Sequence, residues 1–494
     1  MANNEADRMI QSRRTFMGES ACATLGTASV MSTLLNLGMA NKAAAAGLGP
    51  GDDCKTLVCI FLHGGIDSFN TLVPRDNTRY GEYSATRTNL ALPQNDLLPL
   101  NQATDGDGQL YGVHPGMTDI AELFNGIGGD TSRRRLSFVS NVGTLIQPTT
   151  MVEYETDGFP LPKALFSHID QIEQWQTSIP QGGTNLTGWA GRTADVLHST
   201  LNEDLTSMSI SFAGNNIFQV GNTTQQFVMT PGGALTFSGP GSSETHPLTL
   251  KNAALKSLME QEYANLVEQG FADLTKGSVE QQEFIQQLFD GFDDSSVTTP
   301  FPASYIGSQL YAALKMIAIR QQLGLRRQTL FLSFGGWDHH SELLDNQDGM
   351  LRTLSPAIGA FQKALDELGL QDEVIGFTSS DFGRTLRSNG RGTDHAWGGN
   401  QMVFGGPVDG GKIVGTFPSL VLDGVDDVGR GGRLLPTLSV DEHFAELLRW
   451  FGVTGASNFE NVLPNLDNFF DVSTINPTNP ATFPVGYLKA SSFA

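Results

Sequence analysis

Two kinds of apolar pattern alternate along the chain. The first is a short continuous run: Lys55-Thr56-Leu57-Val58-Cys59-Ile60-Phe61-Leu62 is largely apolar and ends in His63-Gly64-Gly65. A parallel strand covered on both faces meets its loop in this form. Similar runs recur at Leu136 to Val142, Met208 to Phe212, Thr329 to Phe334, Val374 to Thr378 and Gln401 to Phe404. The second pattern has helical spacing and fills the gaps, at Gly116 to Phe124, Ser167 to Thr177, Leu250 to Gln269, Tyr305 to Leu323 and Leu351 to Leu368. In the last of these, Leu351, Leu354, Ile358, Phe361, Leu365 and Leu368 recur every three or four residues, which lays one face on a sheet. Alternating strands and helices predict a layered α/β fold. With no internal repeat and no obvious linker, one large domain from about 53 to 470 is expected. Residues 471–494, with Pro477, Pro480 and Pro484, read as an extended C-terminal tail.

The N-terminus departs from both patterns. Ser12-Arg13-Arg14-Thr15-Phe16-Met17 precedes a mildly apolar stretch rich in small residues, and Ala43-Ala44-Ala45-Ala46 closes it. Residues 1–46 are therefore expected to be a twin-arginine signal peptide, removed on export to the periplasm or beyond. Cys22 goes with it. Cys54 and Cys59 lie five apart on one strand and point to opposite faces, so no disulfide is expected. Beyond residue 46 no run of 18 apolar residues occurs, so no transmembrane segment is expected in the mature chain.

Composition narrows the partners. The 494 residues carry 30 Lys+Arg against 52 Asp+Glu, a formal charge of -22, which repels nucleic acid at long range and excludes it as an expected partner. The same field slows an anionic substrate, so an enzyme handling one needs a locally positive centre such as a metal ion.

Candidate ligands for such an ion stand where apolar runs end, the edge at which parallel sheets bind ligands. Asp67 follows the first run, Asp338, His339 and His340 follow Phe334, and Asp381 follows the run begun by Val374. Asp394-His395 precedes the run Gln401 to Phe404. Carboxylates and neutral imidazoles suit zinc, manganese or iron, and adjacent glycines let backbone approach a small ion. Each motif also has a plainer reading: Asp67 as a cap or turn residue, Asp338 and His340 as a turn, Asp394-His395 as a surface loop.

Seven motifs in one order, carried by Arg13 and Phe16, by Gly64, Asp67 and Asn70, by Ser167, His168 and Trp175, by Gly188, Trp189 and Arg192, by Asp338 and His340, by Asp381 and Arg384, and by Thr393 and His395, resemble the exported bacterial family called domain of unknown function 1501. The resemblance spans nearly the whole length. It implies an alkaline-phosphatase/sulfatase-like fold: a doubly wound, mostly parallel sheet with helices on both faces. It also implies a metal centre hydrolysing phosphate or sulfate esters, on a small molecule or a polysaccharide. By this likeness Asp67, Asp338, His340, Asp381 and His395 are metal ligands for one or two divalent ions, zinc first. Ser167 stands where relatives place a nucleophile at a helix N-terminus, with His168 as a proton donor and Arg384 as a clamp for the anion or, equally, the partner of a surface acid. Ser167 reads equally as a helix cap. This segment lacks the cysteine that sulfatases modify, which ranks phosphate esters above sulfate esters. Phe382 is the departure, an apolar ring where many relatives have histidine. It leaves open an alternative: a non-catalytic envelope or polysaccharide-binding protein that retains the hydrolase fold.

Overall fold

The computed structural model describes residues 53–102, 109–184, 186–202, 207–234, 247–429, 431–474, 482 and 485–493. The twin-arginine segment and Pro477, Pro480 and Pro484 lie outside the described residues. The strands in chain order are β1 (Lys55–Leu62), β2 (Leu72–Pro74), β3 (Leu98–Leu100), β4 (Tyr111–Val113), β5 (Leu136–Gly143), β6 (Ser209–Ser211) and β7 (Phe227–Thr230). They continue with β8 (Gly233–Ala234), β9 (Arg327–Ser333), β10 (Val374–Ser380), β11 (Gly399–Gly405), β12 (Ile413–Val414) and β13 (Leu438–Ser439).

Every apolar run enters one sheet, ordered β12-β5-β11-β10-β1-β9-β6-β7-β8, with β13 beside β5. At its centre β1 pairs in parallel with β10 and β9, Cys59 standing opposite Phe377 and Phe331. The run at Gln401 to Phe404 becomes β11, which lies antiparallel between β10 and β5. The sheet is therefore mostly parallel but mixed, with helices around it: an α/β fold. β2, β4 and β3 form a small antiparallel sheet whose three-residue strands are too short to show a period in the sequence.

Thr56 to Leu62 are each at most 2% exposed, so neither face of β1 is open. On one face Phe377 meets Trp189, Phe218 and Phe444, with Trp189 stacked on Phe444 at 4.4 Å. Each such side chain, fully withdrawn from water, contributes about 1.5–3 kcal/mol. Leu343–Leu368 starts two turns earlier than its apolar period predicts and continues through Pro356. The helix expected over Leu250 to Gln269 is instead two, Pro247–Met259 and Leu266–Asp290. The break has a local cause, since the Asn265 side chain accepts the Val267 N–H and starts the second helix. Residues 485–493 return to the domain, with Tyr487 buried and its hydroxyl donating to the His443 carbonyl at 2.8 Å.

The helix Val440–Phe451 opens with a capping box between Ser439 and Glu442 and buries every residue except Glu442. That burial traps Asp441, whose carboxyl is pushed up to about 7 by desolvation against the weaker pull of Ser178 and Arg192. Because the folded value exceeds the unfolded one, the fold holds the proton more tightly. The stability this group contributes is therefore fully present below about pH 4 and is lost as pH rises through 7, by about 4 kcal/mol. Denaturation midpoints of Asp441→Asn and the parent across that window should differ in slope, the variant's being flatter.

Candidate metal centre

The carboxyl ends of β1, β9 and β10 meet at one rim. Gly64, with φ of +116°, follows β1, and a side chain there would place its Cβ 2.5 Å from the Asp338 nitrogen. Only glycine allows the two loops to cross this closely. The Gly64 N–H then donates to both Asp381 oxygens at 3.1 Å, which fixes the Asp381 carboxylate beyond β10.

Three imidazoles gather over this rim, each held by its Nδ1. His168, the first residue of the helix His168–Thr177, has Nδ1 2.7 Å from Asp381 Oδ2. His395 has Nδ1 2.9 Å from the Phe166 carbonyl oxygen, and His340 has Nδ1 3.2 Å from Asp394 Oδ1. Carboxylates and carbonyls only accept, so in each ring Nδ1 carries the proton and the lone pair sits on Nε2. All three Nε2 atoms converge on Asp338, at 3.5 Å for His168, 3.3 Å for His395 and 3.1 Å for His340. The His340 and His395 Nε2 atoms face each other at 3.0 Å. Two lone pairs and a carboxylate aimed at one point repel unless a proton or a cation lies between them.

The spacing fits a small ion. A tetrahedron with arms of about 2.0–2.1 Å has edges of roughly 3.3–3.4 Å, and one ligand atom each from His168, Asp338 and His395 lies within 4.8 Å of the others. Fixing the far nitrogen of each histidine with an oxygen acceptor is how proteins orient imidazole toward metal. Asp338 is 42% exposed at its side chain, so the group opens to solvent.

Arg384 is enclosed beneath Asp338. It donates to Asp338 Oδ1 at 2.6 Å, to the Thr393 carbonyl at 2.6 Å and to the Gly64 carbonyl at 3.3 Å. Desolvation acts to raise the Asp338 carboxyl, but the hydrogen bond and charge of Arg384 outweigh it and hold Asp338 below the usual carboxylate range. Expected as an anion clamp, Arg384 instead orients and ionises Asp338. Burial pushes the His395 imidazole down, which favours the neutral, ligating form.

Phe382 lies under both rings, its centroid 4.8 Å from that of His168 and 4.6 Å from that of His395. Gly65 makes room for it, with φ of +75° and a hypothetical Cβ 2.4 Å from the Phe382 ring. Gly65→Ala should therefore tilt Phe382 into the histidines. Zinc affinity measured by competition with a chelator is expected to fall about 10–100-fold.

The structure does not bring Asp67 to this group. Its Oδ2 accepts from Arg87, and the two side chains are 1% and 0% exposed. Arg87 also donates to Asn70 Oδ1 at 3.1 Å and to the carbonyls of Thr385 and Leu386 at 3.0 and 3.1 Å. A guanidinium thus already neutralises the carboxylate expected to bind metal. Asp381, likewise expected as a ligand, instead accepts from the Gly64 N–H and from His168 Nδ1.

Ser167 stands at the helix N-terminus but makes no side-chain cap; its hydroxyl donates to Asp170 Oδ2 at 2.7 Å. Just before it, Ala164 and Phe166 have φ of +47° and +72°. Such left-handed residues each cost about 1–3 kcal/mol and need surrounding support. Gln171 supplies some by accepting the Phe166 N–H at 3.1 Å, and the Arg433 guanidinium covers the Phe166 ring at 4.0 Å. The backbone so held offers the Phe166 carbonyl to His395 Nδ1, and His168 follows two residues on.

Residues 251–440 match the family described as Protein of unknown function (DUF1501). That stretch contains Asp338, His340, Asp381, Arg384 and His395. No curated protein matches the chain. Among solved structures, the chain is similar to the lipoteichoic acid synthase LtaP from Listeria monocytogenes at 8% identity and a TM-score of 0.22, over 67% of this chain and 56% of that one. The chain thus spans little more than half the length of that structure, and so distant a likeness carries no argument about function.

Sequence reasoning misses Arg87, Arg433 and the Phe166 carbonyl. Arg87 and Arg433 sit in no motif, and a backbone carbonyl leaves no trace in residue type. His168, expected as a proton donor, stands with Asp338 and His395 in a group that could hold an ion, and its Nδ1 contact with Asp381 turns its Nε2 toward Asp338.

Proposed function

We propose that the chain is an exported metal-dependent hydrolase of phosphate or sulfate esters, built on an alkaline-phosphatase-like, doubly wound sheet. A single divalent ion, zinc first, would be held by His168, Asp338 and His395, with His340 beside them. The convergence of three Nδ1-anchored imidazoles on Asp338 carries this reading. When bound, the ion would polarise an ester oxygen and offset the charge that develops during displacement.

The chain's own residues do the rest. Arg384 keeps Asp338 ionised, and Asp381 keeps the His168 lone pair on Nε2. Ser167 Oγ, one residue from His168, donates a hydrogen bond to Asp170 Oδ2 at 2.7 Å, which places Asp170 to act as its general base. With no side chain capping them, the first N–H groups of the helix His168–Thr177 are oriented to receive negative charge. Export rests on the twin-arginine pattern of Arg13 and Arg14. Among the described residues no helix is long and apolar enough to cross a membrane.

The test is hydrolysis of 4-nitrophenyl phosphate, bis(4-nitrophenyl) phosphate and 4-nitrophenyl sulfate by zinc-loaded protein. Turnover of a phosphate ester is expected to exceed that of the sulfate and to fall about 100-fold or more in His395→Ala. Firm zinc binding without turnover of any of the three would instead favour the non-catalytic, envelope-binding alternative.

A further inference from the structure

The helices Pro247–Met259 and Leu266–Asp290 form a hairpin at the β8 edge of the sheet. The far end of the second helix is anchored: Gln286 accepts the Ala234 N–H of β8 at 2.6 Å, and Ile285 and Phe289 enter the main core. The remainder carries apolar side chains in solvent, with Leu258, Leu266 and Phe271 51%, 74% and 71% exposed. A single exposed leucine needs no cause, but several on one hairpin mark a contact surface.

Between the two helices runs a groove of about 440 Å3. Met259 and Ala272, both buried, form its floor, and Leu255, Leu258, Val267 and Phe271 its walls. Beside it, Leu250, Ala254 and Leu258 recur every four residues, so they stand in one exposed stripe along the first helix. The same hairpin thus offers both a ridge and a groove, the two halves of a helix-in-groove contact.

Charge identifies the occupant. The first helix carries Lys251 and Lys256 and no acid, in a chain of formal charge -22. Among the described residues neither lysine pairs with an acid. Glu260 and Glu262 follow in the turn, Glu268 lines the groove and Asp273 lies farther along the second helix. These acids repel an anionic lipid surface, which would otherwise suit apolar side chains flanked by lysine. A second copy suits both signs, because a two-fold axis turns the basic first helix of each copy toward the acidic second helix of the other.

We propose that the hairpin is a two-fold interface between copies of this chain, the apolar stripe of each first helix lying in the groove of the other copy. The contact lies at the β8 edge and the metal centre beyond β1, β9 and β10, so the two are separable. Sedimentation equilibrium of the full chain is expected to show a dimer with a dissociation constant on the order of 1 µM. Phe271→Asp should weaken it about 100-fold or more, with the thermal midpoint retained because that side chain is exposed. Charge reversal gives a second readout that loss of folding does not imitate. Lys251→Glu with Lys256→Glu, and separately Glu268→Lys with Asp273→Lys, should each weaken self-association, and an equimolar mixture of the two variants should pair again. If Phe271→Asp unfolds, the mixture decides. A parent that stays monomeric well above that concentration, a dimer that survives Phe271→Asp, or reversed chains that fail to pair when mixed would overturn the inference. Monomers that sediment with phosphatidylglycerol vesicles would overturn it in favour of a lipid partner.

Discussion

Asp338→Asn is expected to leave the chain folded and to weaken its hold on zinc by about 100-fold or more. The asparagine oxygen can still accept from Arg384, so the loop after β9 stays in place. What is lost is the negative charge on which three Nε2 atoms converge. Asp338→Ala should lose the ion and also lower stability, because the enclosed Arg384 guanidinium loses its carboxylate. Chelator competition gives the affinity and a thermal scan gives the stability. An Asn variant that binds zinc as tightly as the parent would remove Asp338 from the centre.

The second large effect concerns Asp67. Arg87→Met should destabilise the fold by about 3–5 kcal/mol, since it leaves a buried carboxylate without its counter-charge. Asp67→Asn combined with Arg87→Met should recover much of that loss, because a buried pair replaced on both sides costs far less than one broken on a single side. Denaturant midpoints of the parent, the single variant and the double variant check this. If instead Asp67 serves metal, the double variant would lose zinc; the expected outcome is unchanged zinc affinity.

These two carboxylates show what the sequence discloses. Both follow an apolar run and both have glycine nearby, so residue type and position treat them alike. Only the fold separates them: Arg87, twenty residues along the chain, reaches Asp67, whereas Asp338 faces three histidines. The strands and the convergence of Asp338, His340, Asp381 and His395 at one rim were legible because buried parallel strands read as continuous apolar runs and their loops follow directly. The division of labour was not. Asp381 and His168 share one hydrogen bond, and which of them turns toward Asp338 depends on a 2.7 Å contact across 213 residues. Phe382 likewise reads as a missing ligand in the sequence, but in the structure it is the surface on which His168 and His395 rest. The antiparallel course of β11 was hidden because a buried strand looks the same in either direction.

Metal analysis with zinc-edge X-ray absorption on the reconstituted full chain tests the central claim most directly. One ion per chain is predicted, with at least two imidazole nitrogens and carboxylate oxygen at about 2.0–2.2 Å. Protein that retains no stoichiometric ion, or an ion whose neighbours include no imidazole, would contradict the account.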